Sequence, residues 1–170
     1  MSSAIKFRCS EYERPSIEAV NLAVAYFPCT GIFIWNGGPR QGRPAGSITS
    51  GGYVQIRVGG RVCGAHRLAW LLVNGVWPTN VIDHLNGVRH DNKISNLRDV
   101  SRGVNVQNVR HARVDNASTG MLGVERRGHR FRARIQVDGR MVAIGVYDTP
   151  DEAHQCYLAA KRRLHEGCTV

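Results

Sequence analysis

Arg130 to Val137 alternates without a break, with Arg130, Arg132, Arg134 and Gln136 in one register and Phe131, Ala133, Ile135 and Val137 in the other. Successive side chains of a strand point to opposite faces, so this stretch predicts one buried and one cationic face. Asp138-Gly139 follows, a pair suited to the left-handed conformations of a type I′ turn, and Met141 to Tyr147 returns as the partner strand. A shorter strand is predicted at Gly123 to Arg127. The result is a three-stranded antiparallel sheet with one apolar face, which needs a cover. Thr149-Pro150-Asp151-Glu152 supplies it, as a capping box with proline in the first turn. The helix it opens carries Ala153, Cys156, Tyr157, Ala160 and Leu164 as an apolar stripe, with Gly167 as its stop.

The opposite sheet face then holds Arg127, Arg130, Arg132, Arg134 and Gln136. Like charges side by side on a sheet repel, so this face calls for something negative to dock on it. A small β face fits the DNA major groove, where arginine pairs with guanine and glutamine with adenine. On STGMLGV, the FRARIQVDGR hairpin, GVYDTPDEA and the helix after it, residues 118 to 166 resemble the APETALA2-type DNA-binding domain. The plant domains carry a tryptophan near the first reversal, where this chain has Gly128-His129, so their base preferences do not carry over.

The second informative stretch is VIDHLNGVRHDNKISNLRDVSRGVNVQN, residues 81 to 108. Val81 to Asp83 reads as a short strand, Asn86-Gly87 as a turn, Asn96 to Val100 as a second strand, and Ser101 as the cap of a helix carrying Asn105 and Asn108. Phosphodiester hydrolysis needs a hard cation against the developing negative charge and a base to take a proton from water. An isolated Asp-His pair more often caps a turn; here Asn96 and Asn105 stand in register with Asp83 and His84. In this order and spacing the segment resembles the HNH endonucleases and their ββα-metal unit. The resemblance implies Asp83 as the metal-ligating acid, His84 as the general base, Asn96 as the residue that pins the loop and orients the base, and Asn105 as a second metal ligand. Several HNH branches have histidine at the last position. Asparagine there suits Mg²⁺, with Mn²⁺ able to substitute, better than Zn²⁺ or Ni²⁺. One tension follows from strand geometry: Asp83 and His84 are neighbours and point apart unless the strand ends or bends beside them.

The block before this unit strengthens the resemblance. Tyr53 to Val58 and Arg61 to Gly64 predict a hairpin around Gly59-Gly60, AHRLAWLLVNG a buried helix ending at Gly75, and Trp77-Pro78 comes next. Phage-type HNH nucleases carry a similar hairpin, His-Arg-Leu-Ala-Trp helix and Trp-Pro, so the likeness covers most of residues 26 to 109. Packing or a structural hydrogen bond is the expected role of His66, and Arg67 is a phosphate-contact candidate. Earlier still, Ile17, Val20, Val24 and Phe27 recur at helical spacing after Ser16, predicting a helix closed by Pro28, and Ile32 to Trp35 reads as a strand.

A formal charge of +10 and a pI near 10.0 point to a polyanionic partner. Five cysteines without a Cys-x-x-Cys pair indicate neither a zinc ribbon nor a disulfide framework, and read as reduced thiols of a cytoplasmic protein. No membrane role and no obligatory protein partner are expected; monomer and dimer stay open. The expected fold class is α+β: a nuclease domain over residues 1–112, with its catalytic unit at 81–109, behind an N-terminal helix and hairpin; a linker at 113–119; and a DNA-binding domain over 120–168, its three-stranded sheet packed on one helix. The expected function is metal-dependent, site-specific cleavage of double-stranded DNA, of the homing or free-standing type found in phages and mobile elements. The alternatives are a sequence-specific DNA-binding regulator with an inactive nuclease unit and an RNA-binding basic protein, the latter disfavoured by the lack of a solvent-facing aromatic platform.

Overall fold

A computed structural model describes residues 14–110, 112 and 118–169. The elements are α1 (Ile17–Ala23), β1 (Val24–Phe27), β2 (Ile32–Trp35), β3 (Ser47–Ile48), β4 (Val54–Val58), β5 (Arg61–Gly64), α2 (Ala65–Asn74), β6 (Val81–His84), β7 (Leu97–Val100), α3 (Arg102–Gln107), β8 (Val124–Arg127), β9 (Arg130–Val137), β10 (Arg140–Tyr147) and α4 (Pro150–Leu164). Helices and small antiparallel sheets thus alternate in an α+β chain. No helix among the described residues is long and apolar enough to cross a membrane. By proximity the chain divides into two units, one of residues up to His84 with Val88–Arg98, the other of Leu85–Gly87 with Asp99 onward. Most of the expected linker, residues 113–117, lies outside the described residues.

In the first unit, Ser16 caps α1 by accepting from the Ala19 amide at 3.2 Å. The helix stops at Ala23, short of the expected end at Pro28. Val24 to Phe27 is instead a strand paired antiparallel with Ile32–Trp35. Valine, tyrosine and phenylalanine favour the pleated conformation, and IFIW a few residues on offers a ladder that helical spacing alone does not reveal. Strands β3, β4 and β5 form a second sheet in that order, and α2 ends at Gly75, whose left-handed φ of 75° closes the last turn. Val20, Val24, Phe33, Ile56 and Leu68 fill the core between these pieces.

The second unit has β8, β9 and β10 as a sheet in the order β10-β9-β8, with Asp138 and Gly139 both at positive φ in the connecting turn. Val124, Ala133 and Ile135 pack against Ala153 and Tyr157 of α4, whose N-cap is Thr149 accepting from the Glu152 amide. Sequence periodicity overstates the apolar stripe of α4. Leu164 is 47% exposed, and Lys161 takes an inner position at 1%. Its ammonium donates to the Val109 carbonyl, and burial lowers its pKa. The chain after α4 also reaches α3: the Gly167 amide donates to Gln107 Oε1 at 2.8 Å, and Arg110 Nη2 donates to Thr169 Oγ1 at 2.7 Å and to the Leu85 carbonyl at 2.7 Å.

Candidate functional site

Strand β6 ends on the two residues that carry the expected chemistry, and both are buried, Asp83 at 6% exposure and His84 at 4%. Each has partners of its own. Asp83 Oδ2 accepts from Arg98 Nε at 3.0 Å and Nη2 at 2.8 Å, and Arg98 lies on β7, which pairs with β6. The His84 ring lies among others, 5.4 Å from His66 in an edge-on arrangement and 6.0 Å from Tyr53, with Nε2 3.4 Å from Asn92 Oδ1. This is how two neighbours in one strand are both enclosed: one faces the adjacent strand, the other the helix and the loop.

Burial is the largest influence on His84 and lowers its pKa, with Arg89 acting in the same sense against Asn92, Asp83 and Asp91. His66 is pushed down to about 3, chiefly by burial and then by His84 and Arg67. It is a neutral ring at the start of α2, and its Nδ1 is buried without a hydrogen-bond partner among the described residues. Arg89 extends over the Tyr53 ring, 5.2 Å from its centroid, and donates to the Gly51 carbonyl at 2.9 Å.

The loop between β6 and β7 is held from several sides. Asn96 sits in a single 3-10 turn, Ile94–Asn96, and donates from Nδ2 to the Asp91 carbonyl at 2.8 Å. Asn92 is 2% exposed and its carbonyl accepts from the Tyr26 hydroxyl at 2.7 Å, a phenol that burial pushes up to about 12. The turn joining β1 and β2 lies against the same backbone: a Cβ at Gly31 would stand 2.5 Å from the Lys93 nitrogen, and the Gly31 φ of +74° is itself one that side chains resist. Periodicity and spacing do not single out Asn92, Arg98 or Tyr53, and for His66 they predict packing or a structural hydrogen bond. The asparagine alone had a local signal, its place in the polar run His90-Asp91-Asn92.

Asn105 is half-buried on α3, whose first turn is capped by Ser101 accepting from the Val104 amide, and it belongs to the second unit. Among the described residues no three His, Cys, Asp or Glu side chains gather to hold a metal. A hard cation of the Mg²⁺ type does not need such a cage, because it keeps several waters and takes one or two carboxylates. A buried carboxylate at Asp83 and an amide oxygen at Asn105 are donors of that class.

Residues 63–107 match the family model for HNH endonuclease. The matched HNH segment begins in β5, runs through α2 and both strands of the β6-β7 pair, and ends with α3. It supports a nuclease of the HNH type. No curated protein and no solved structure matches the chain.

Outside the HNH segment, the arginine face of β8 and β9 has an internal counter-charge. Glu125, opposite Arg132 in the register, pairs with Arg127 at 3.2 Å, with Arg134 at 3.0 Å and with Arg132 itself. Burial raises the Glu125 carboxyl, and these three arginines outweigh it to leave the pKa below the usual carboxylate range. Arg130 pairs with Asp148 at 2.9 Å, and Gln136 donates to the Gly139 carbonyl at 3.3 Å. The repulsion expected on this face is therefore offset by acids of the chain itself, Glu125 in the sheet and Asp148 just after it. Arg67 is similarly occupied, lying 6.0 Å from the Trp77 ring centroid and donating to the Asn80 carbonyl at 3.3 Å.

Proposed function

We propose that the chain is a divalent-metal-dependent DNA endonuclease of the HNH type. The observation that carries this is a buried histidine, His84, inside the HNH-matched segment, with its ring fixed by His66, Tyr53 and Asn92. In this reading His84 takes a proton from the water that attacks phosphorus, and Asp83 and Asn105 hold the cation. Mg²⁺ or Mn²⁺, when bound, supplies positive charge against the phosphorane and the leaving 3′-oxygen. Arg98 holds Asp83 in place, and Asn96 keeps the loop closed around the site. Supercoiled plasmid incubated with and without Mg²⁺ tests the proposal: nicked product only with the metal supports it, and an intact plasmid bound tightly in both arms would favour a DNA-binding regulator.

Asp83→Ala and Asn105→Ala should each lose Mg²⁺-dependent nicking, and a rise in Mg²⁺ should restore Asn105→Ala more fully. A neutral amide contributes less to cation affinity than a carboxylate, so mass action offsets its loss more easily. Normal nicking by Asn105→Ala at limiting Mg²⁺ would remove it from the ligand set.

For recognition, we assign the face of Arg127, Arg130, Arg132, Arg134 and Gln136 to duplex DNA, in an APETALA2-like arrangement, with Arg67 left to packing on Trp77. Glu125 then competes with phosphate for its three arginines. Glu125→Gln should bind unrelated duplex DNA more tightly and with a steeper salt dependence, each added phosphate contact contributing about 0.9 to the slope of log affinity on log salt. A slope equal to that of the parent would show that Glu125 does not restrain the arginines.

A further inference from the structure

Asn92 has no assigned part in the chemistry, yet it is among the most enclosed polar side chains of the described residues, and its two amide atoms face different partners. Nδ2 is 3.1 Å from the His90 carbonyl oxygen, while Oδ1 is 3.4 Å from His84 Nε2. The orientation is not interchangeable. If the amide were flipped, its oxygen would lie against the His90 carbonyl oxygen, two acceptors in contact without a proton between them. The His90 carbonyl therefore fixes Oδ1 as the atom presented to the imidazole. An amide oxygen only accepts, so Nε2 must carry the hydrogen and the lone pair of the neutral ring falls on Nδ1.

We infer that Asn92 is the positioning residue that sets the tautomer of His84, so that Nδ1 is the atom that takes the proton. This rests on the reading of His84 as the base. Asn92 can hold this role because its own place is set by other groups. Its carbonyl accepts from Tyr26, its neighbour Lys93 lies against Gly31, and the Ile94 amide donates to the Pro28 carbonyl at 3.3 Å. The sheet of β1 and β2 thus braces the loop that orients the base. Asn96, which the family resemblance points to for both loop and base, donates to the Asp91 carbonyl, and Asn92, four positions earlier, contacts the imidazole. The edge-on His66 ring and the Tyr53 ring fill the remaining sides and limit rotation of the imidazole.

The test uses the full-length chain with ¹⁵N-labelled histidine, reading two-bond proton–nitrogen correlations above the titration range, with His84 identified as the signal lost in His84→Ala. The expected pattern is a protonated Nε2 and an unprotonated Nδ1; the reverse pattern overturns the inference whatever the variants do. In Asn92→Leu, which removes the acceptor, the two tautomers should mix and kcat should fall about 10- to 100-fold, the usual range for an outer partner that fixes a histidine tautomer. KM for plasmid and Mn²⁺ affinity should not change. Asn92→Asp keeps an acceptor on Nε2 and should keep the parental tautomer, but its second oxygen meets the His90 carbonyl where Nδ2 donates in the parent, so kcat should recover only in part. An Asn92→Leu protein with parental tautomer and parental kcat overturns the role; if that variant does not fold, the spectrum of the parent still decides. A parent that shows the Nε2-protonated ring but never nicks DNA would leave the tautomer assignment standing and refute the nuclease reading instead.

Discussion

His84→Ala should lower plasmid nicking by about 10² to 10⁴, the range a positioned general base contributes, while DNA affinity stays within a few-fold of the parent. The separation follows from placement. His84 is 4% exposed, enclosed by Tyr53, His66 and Asn92, so it offers DNA little surface to bind. In the parent, the rate should rise with pH as the imidazole loses its proton, because only the neutral ring accepts one from water. Burial lowers the His84 pKa, so the neutral form persists to lower pH and the midpoint of the rise should fall below about 6.5. Rates measured from pH 4.5 to 8 under single-turnover conditions check this. A midpoint well above the ordinary imidazole value, or an unimpaired His84→Ala, would place the base elsewhere.

The parts of the molecule that sequence made legible are those governed by local rules. The Gly59-Gly60 and Asp138-Gly139 turns, the Thr149 cap and the Gly75 stop each follow from a backbone requirement that few residues meet, and each is where the pattern placed it. Periodicity places the end of α1 too late because Val24 and Phe27 satisfy helical spacing and strand preference equally. Pairing with Ile32–Trp35 settles between them, and no local window contains that information. The site divides in the same way. Asp83 and His84 are visible as an acid beside an imidazole, and the HNH match spans them. Arg98 and Asn92 become visible only when the loop is folded back, since nothing in the spacing shows that one reaches Asp83 and the other His84. Glu125 carries little signal for a related reason: a single acid among arginines looks minor in sequence, and only the β8-β9 register sets it opposite Arg132.

A chain ended at Leu164 should fold its C-terminal sheet but lose most of its nicking. Such a chain keeps the arginine face and α4, with Lys161 still donating to the Val109 carbonyl. It lacks the Gly167 amide that donates to Gln107 at the end of α3, and it lacks Thr169, whose hydroxyl accepts from Arg110 and donates to the Leu85 carbonyl at 2.6 Å. Leu85 directly follows His84, and α3 carries Asn105, so these contacts hold the chain on both proposed catalytic segments. Each buried hydrogen bond left without its partner costs about 1–3 kcal/mol, and a shift of about 1 Å at a catalytic group can lower a rate about 100-fold. A fall of that order in nicking, with unchanged affinity for DNA and unchanged salt slope, is the expected result. Arg132→Ala with Arg134→Ala should behave in the opposite way, binding more weakly and with a slope shallower by up to about 1.8, at about 0.9 per lost phosphate contact, while the metal and pH requirements persist. The contrast tests the coupling directly. If the chain ending at Leu164 nicks at the parental rate, the segment after α4 is dispensable for the site.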